Sequence, residues 1–242
     1  MKESRLASLR IIAIDGPAGS GKSTVGRLLA DQLGLTYLDT GAMYRAVAFA
    51  AIHQGIDPAD EQPVAALAKS VDVRVDETAV TVNGVDATVE IRGPEVTRAV
   101  SLVAANPAVR EELRTQQRVW AAERGGGVIE GRDIGTVVFP DAILKVYLTA
   151  SVEARAKRRV QEMADMNYDD VAADIARRDA ADSGRSDSPL AEASDAVLVD
   201  TTDLTIPEVV DEIAAILKSR LGESGAAAAD EKAGEQMREQ SD

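Results

Sequence analysis

The chain has 242 residues, 41 acidic against 27 basic, for a net charge of −14. Such a surface repels DNA, RNA and anionic lipid, so nucleic acids and membranes are not expected partners. With no cysteine, disulfide frameworks, thiolate metal sites and a cysteine nucleophile are excluded. No apolar run reaches the roughly 20 residues of a membrane-spanning helix. The opening MKESRLASLR lacks the apolar core of a signal peptide, so a soluble, cytoplasmic protein is expected, and a monomer.

In chain order, Leu9–Asp15 is a β-branched run that reads as a strand ending at Gly16. Lys22–Leu33 then carries Val25, Leu28, Leu29 and Leu33 at helical spacing, with Gly34 as C-cap. Thr36–Leu38 reads as a second strand and Gly41–Gln54 as a helix. Strand–helix alternation predicts an α/β chain built on a parallel sheet. The pattern then changes. A short helix at Pro63–Lys69 is followed by three alternating runs, Val71–Val75, Ala79–Val82 and Ala87–Ile91, with Asn83-Gly84 as a hairpin signal. Residues 64–100 are therefore expected to form a small antiparallel insert.

A long helix, Pro107–Glu123, follows and ends at the glycines 125–127. Val128–Glu130 and Ile143–Leu148 read as strands, Ser151 as the cap of a helix to Val160, and Gln161–Tyr168 as a polar loop. Asp169–Ala181 predicts another helix and Ala196–Val199 the last strand. Thr205-Ile206-Pro207-Glu208 is a capping box that opens a helix to about Leu221. This divides the chain into a tail at 1–8, a core at 9–63 and 101–221, and the insert. From 222 to 242 the composition predicts a disordered acidic tail. His53, near a helix end, and Trp120, on the helix from Pro107, are read as surface and packing residues.

The strongest chemical signal is Gly16-Pro17-Ala18-Gly19-Ser20-Gly21-Lys22-Ser23, with Thr24 following. It matches G-x-x-x-x-G-K-[ST] between a strand and a helix, the setting a phosphate-binding loop needs. The glycines admit positive φ, and successive N–H groups then point into one concavity. The helix N-terminus adds positive potential. Lys22 supplies charge to the β- and γ-phosphates of ATP, and the Ser23 hydroxyl is the candidate ligand for Mg²⁺. No guanine-reading N-K-x-D segment occurs.

A kinase for an anionic acceptor also needs cations for a second phosphate. Arg45 and Arg132 lie just past predicted strands, where open parallel sheets bind ligands. Arg155, Lys157, Arg158 and Arg159 precede the polar loop, and Arg177, Arg178 and Arg185 follow it, as in a lid that closes on polyphosphate. The residues alone thus predict a P-loop phosphotransferase with an arginine-lined acceptor site, or a nucleotide-dependent switch with no acceptor.

The stretches IAIDGPAGSGKST (12–24), LDTGAMYR (38–45), SLVAANPAVRE (101–111), IEGRDIGTVVFPDA (129–142) and RRDAADSGR (177–185) resemble the bacterial cytidylate kinases, P-loop nucleoside monophosphate kinases. The resemblance covers about 9–221. It implies a parallel sheet flanked by helices, an insert that enlarges the monophosphate-binding region, and a mobile lid at about 158–172. It also implies transfer of the ATP γ-phosphoryl group to CMP or dCMP. By this resemblance Ser101, Arg110 and Asp133 read cytosine. Thr40 lies beside the monophosphate, and Arg45 and Arg132 bind it. Arg178 and Asp182 hold the ribose. Arg185 reaches the phosphates, and Arg158 and Arg159 belong to the lid. Lys22, Arg132, Arg158, Arg159 and Arg185 form the implied catalytic set. Glu130 stands where some relatives carry Asp and is left outside the metal set. Related kinases for UMP, shikimate or dephospho-coenzyme A are the alternatives.

Overall fold

The computed structural model describes residues 10–76, 78–162 and 167–239, and side chains for these except 162 and 223–239. The expected tail at 1–8, residue Leu9, the centre of the polar loop at 163–166 and residues 240–242 lie outside the described residues.

Five strands form one parallel sheet: β1 (Arg10–Asp15), β2 (Tyr37–Asp39), β6 (Gly126–Gly131), β7 (Leu144–Thr149) and β8 (Val197–Asp200), in the order β2-β6-β1-β7-β8. β1 is central and buried on both faces, which explains its unbroken apolar run. Ile11 and Ala13 enter one core and Ile12 and Ile14 the other.

The helices cover both faces. α1 (Lys22–Leu33) and α8 (Ile206–Glu239) pack on one side through Val25, Leu29, Val209 and Ile213. On the other lie α2 (Thr40–His53), α3 (Glu61–Ser70), α4 (Pro94–Ala105) and α5 (Pro107–Arg124). α6 (Val152–Glu162) and α7 (Tyr168–Ser183) make a separate pair over a small core of Ala156, Val171 and Ile175. They flank the expected lid loop.

The insert differs from the expectation in two places. A second sheet, β3 (Val73–Val75), β4 (Val80–Val82) and β5 (Val85–Asp86), turns at Asn83-Gly84 as expected, both residues having positive φ. The run Ala87–Ile91 is not a strand. The Asp86 carboxylate accepts from the Thr88 N–H and hydroxyl. The backbone then winds into a short 3₁₀ turn, Glu90–Arg92, that buries Ala87 and Ile91. Residues 94–100 are also not sheet: Pro94 sits in the first turn of α4, and Val96, Ala99, Val100 and Val103 make its buried stripe.

α8 is longer than expected, continuing past Leu221 through the alanines at 226–229, strong helix formers. Its opening is half a capping box, since the Thr205 N–H donates to Glu208 Oε2 at 2.8 Å.

Sheet register positions the chemistry. Asp15 pairs with Gly131 across β1 and β6, and Asp39 with Glu130 across β2 and β6. The segments that begin at Gly16, Thr40 and Arg132 therefore leave the carboxyl end of the sheet side by side.

Candidate active site

The loop after β1 is built by its backbone. Gly16 has φ +148, and a Cβ there would lie 2.0 Å from the Leu148 carbonyl oxygen. Gly21, at φ 91, sits at the N-cap of α1 with no side-chain cap, so the first N–H groups of the helix stay available to a ligand. The Lys22 ammonium donates to the Pro17 carbonyl at 2.6 Å. Its pKa is lowered to about 7 by burial and then by the nearby Arg132. The Ser23 hydroxyl donates to Glu130 Oε1 at 2.6 Å, and the Tyr37 hydroxyl reaches the same oxygen at 2.5 Å. Burial raises the pKa of Glu130.

Opposite this loop is a set of arginines, three of them held by carboxylates. Arg132 Nε donates to Asp182 Oδ2 at 2.7 Å, and Arg185 NH2 lies 3.2 Å from Asp182 Oδ1. The Asp182 carboxylate remains below its usual range: burial raises it, but Arg132 and Arg185 outweigh that. Arg110 NH2 donates to Asp133 Oδ2 at 2.6 Å, with both side chains buried. The Arg110 guanidinium also lies over the Tyr44 ring, 5.7 Å from its centre. Arg45 donates to Thr97 Oγ1 at 2.9 Å, and burial lowers its pKa to about 10, with Arg178 adding to the effect.

The two halves border one cleft of about 1200 Å³. It is lined by Ala18, Gly19, Gly21, Lys22, Ser23 and Thr24 from the loop. From the other side come Thr40, Arg45, Ser101, Arg110, Arg132, Asp133, Arg178, Asp182 and Arg185, and α6 adds Arg158 and Arg159. Of the expected residues, Gly16, Pro17 and Ser20 do not line it; Ser20 is fully buried and donates to the Pro17 carbonyl, shaping the loop from behind. Thr40 lines the cleft, but its hydroxyl donates to the Glu130 carbonyl at 2.6 Å, tying β2 to β6. Arg158 hydrogen-bonds the Thr201 hydroxyl and carbonyl, on the wall beside the P-loop.

Several supporting residues escaped the sequence reading. The Asp15 carboxylate accepts from the Ile134 and Gly135 N–H groups at 2.9 and 2.7 Å, clamping the loop that carries Arg132 and Asp133. Burial raises its pKa to about 6. Asp39 caps α2 through the Ala42 N–H and pairs with Arg92, which also lines the cleft. Arg155, which the sequence reading placed only in the basic run before the polar loop, donates to the Ala18 carbonyl at 3.1 Å and pairs with Asp179, joining α6 and α7 to the P-loop. Asp15 had a visible signal, a lone acid closing an apolar strand. The Asp39–Arg92 and Arg155–Asp179 pairs join residues more than 20 apart.

A backbone cradle for one polyphosphate, facing a carboxylate-held set of arginines for a second anion, defines a P-loop phosphotransferase with its own acceptor site. The family model described as cytidylate kinase matches residues 12–219. A cytidylate kinase of Pelotomaculum thermopropionicum is 57% identical over 65% of this chain and 71% of its own. One from Mycobacterium leprae is 51% identical over 70% and 78%. A bifunctional pantoate ligase/cytidylate kinase of Synechocystis sp. is 51% identical over 87% of this chain and 43% of its own. The chain belongs to the cytidylate kinase family.

Proposed function

We propose that the cleft transfers the γ-phosphoryl group of ATP to CMP or dCMP, releasing ADP and CDP or dCDP. The observation that carries the base assignment is the buried Arg110–Asp133 pair at the acceptor end, with Ser101 on the same wall. Cytosine presents an exocyclic amine beside two acceptors, N3 and O2. A carboxylate matches the amine, and guanidinium and hydroxyl donors match the acceptors. Uracil reverses the first two positions and would leave buried polar groups unpaired.

In this reading Lys22 and the loop N–H groups bind the ATP β- and γ-phosphates. Arg45 and Arg132 orient the acceptor phosphate, with Thr40 buttressing the wall behind it. Arg178 and Asp182 face the ribose. Arg185, with the lid residues Arg158 and Arg159, neutralises charge as it spreads over the transferring group. An acceptor phosphate oxygen attacks the γ-phosphorus in line as the bond to the bridging oxygen of ADP breaks. A phosphate dianion is already a nucleophile, so no general base is needed, and catalysis is positioning and charge neutralisation.

Ser23 and Glu130 present hard oxygen donors next to Lys22, a donor set that suits Mg²⁺ arriving with ATP. There the ion would neutralise phosphate charge. No helix among the described residues is long and apolar enough to cross a membrane. The cleft is complete within one chain, which supports a monomer, and we read the enzyme as cytoplasmic. A panel of CMP, dCMP, UMP, shikimate and dephospho-coenzyme A in an ADP-release assay tests the reading. CMP and dCMP should lead. ATP binding with no acceptor-dependent ADP release would overturn it in favour of a switch.

A further inference from the structure

Arg110 is 1% exposed, so each of its donors must find a partner inside the protein. NH2 reaches Asp133 and NH1 reaches the Ala104 carbonyl at 3.2 Å. Nε is buried and makes no hydrogen bond. The carboxylate it faces is that of Asp187, 3.8 Å away. Asp187 does not line the cleft and belongs to none of the motifs above.

Asp187 is itself held firmly. Arg114 spans it, NH1 to Oδ1 at 3.4 Å and NH2 to Oδ2 at 3.3 Å. The Ser188 hydroxyl donates to Oδ1 at 2.7 Å and accepts from Arg114 at 3.1 Å. Ser188 has φ 51, a left-handed conformation that a side-chain-bearing residue keeps only where its surroundings enforce it. Burial raises the Asp187 pKa, but the Ser188 hydroxyl and the Arg114 and Arg110 guanidiniums bring it below its usual value, so the group is ionised at neutral pH. The charges alternate in space: Asp133, Arg110, Asp187, Arg114.

We infer that Asp187 is a positioning residue for acceptor recognition: it flanks the Nε edge of Arg110 while Asp133 holds the NH2 edge, and together they fix the plane of the guanidinium that meets the base. This rests on the reading of Arg110 and Asp133 as the base-recognising pair. With only Asp133 and the Ala104 carbonyl as partners, the Nε edge of the guanidinium would be unsupported. The second anion supports that edge without touching the substrate. A tie that only secured the exit of α7 would not need the charge, because Arg114 and Ser188 already bond each other.

The test is steady-state kinetics of Asp187→Asn, which keeps the shape but removes the charge and turns one acceptor oxygen into an N–H donor. The KM for CMP should rise roughly three- to tenfold, the range of a partly exposed ion pair, with kcat changed less than about twofold. The KM for ATP and the use of UMP should not move, so CMP/UMP discrimination narrows by the same factor. Asp187→Glu should restore most of it. Arg114→Met, which frees Asp187, should act in the same direction and serves if the first variant does not fold. A wild-type KM for CMP in Asp187→Asn and Arg114→Met, or equal losses for CMP and UMP, would overturn the inference. Arg110→Ala, run in parallel, separates the two readings. If it collapses CMP use while Asp187→Asn is silent, only the positioning role fails. If it leaves CMP use intact, the base-recognition reading itself fails.

Discussion

In the proposed reading, the donor and acceptor halves of the cleft bind the same kind of group by different means. The P-loop is main chain: glycines, N–H groups and a helix end, with Lys22 resting on the Pro17 carbonyl of its own loop. The acceptor half is side chain: Arg132 and Arg185 on Asp182, Arg110 on Asp133 and Arg92 on Asp39. A main-chain site is shaped by conformation and needs no counter-charge. A cluster of buried guanidiniums would repel itself, so carboxylates must hold it together until the substrate phosphate arrives. Removing a charge from the donor half should therefore cost rate and little stability. Removing one from the acceptor half should cost both.

The largest expected effect tests the first part of that contrast. Lys22→Ala should lower kcat by about 10²–10³, the usual loss for one preorganised charge at a transferring group. The melting temperature should stay near wild type or rise, since Lys22 is a desolvated cation whose removal relieves burial cost. Loss of folding together with activity would place Lys22 in the same class as the acceptor arginines.

Asp133→Ala tests the other half. It should lower kcat/KM for CMP by about 10² and narrow the CMP/UMP ratio, while the KM for ATP changes little. It should also destabilise the fold by roughly 3 kcal/mol, because Arg110 keeps its charge in a buried site without its 2.6 Å partner. Chemical denaturation measures the second effect separately from the first. Unchanged stability would show that the pair is dispensable to the scaffold and the contrast overstated.

The same division governs what could be read from sequence. The donor half occupies eight consecutive residues, and each position follows from loop geometry, so its motif was legible without a structure. The acceptor half was legible as an excess of arginine past strand ends, and the resemblance supplied roles for individual residues. Its carboxylate partners were not: Asp39 and Arg92 are 53 residues apart, and Arg132 and Asp182 are 50 apart. No local pattern links such pairs: Arg92 sits in the 3₁₀ turn of the insert and Asp182 in α7, and tertiary packing brings them to the strand ends. The strand misread at 87–91 has a local cause, the Asp86–Thr88 turn, which ends the ladder where hydrophobic alternation alone would continue it.

A smaller effect follows from the protonation of Lys22. Burial lowers its pKa to about 7 in the free protein. Bound polyphosphate favours the ammonium and must raise that pKa, so ATP binding takes up a proton at pH values above about 7. At pH 8 the uptake should approach one proton per ATP and should vanish near pH 6. The apparent affinity for ATP should weaken by up to roughly fivefold from pH 7 to 8. Calorimetry in buffers of different ionisation enthalpy reads the uptake directly. Equal uptake in Lys22→Ala would assign the proton to another group.

The smallest effect is expected at the far end of the donor scaffold. α8 supports α1, and through it the P-loop, by Val209, Ile213 and Leu217, all buried against the core that holds Val25 and Leu29. Leu221, one turn further on, is 55% exposed. Beyond it the sequence offers alanines and one methionine among charged and small residues, with no large apolar stripe to dock. Truncation after Leu221 should therefore remove helix without removing core. Helical content should fall while the melting temperature changes by less than about 2 °C, because exposed helix held by propensity alone contributes little to global stability. Turnover with ATP and CMP should be unchanged. A larger drop in stability or rate would mean that the segment past Leu221 packs on the donor half, and that the scaffold behind the P-loop extends further than its buried residues indicate.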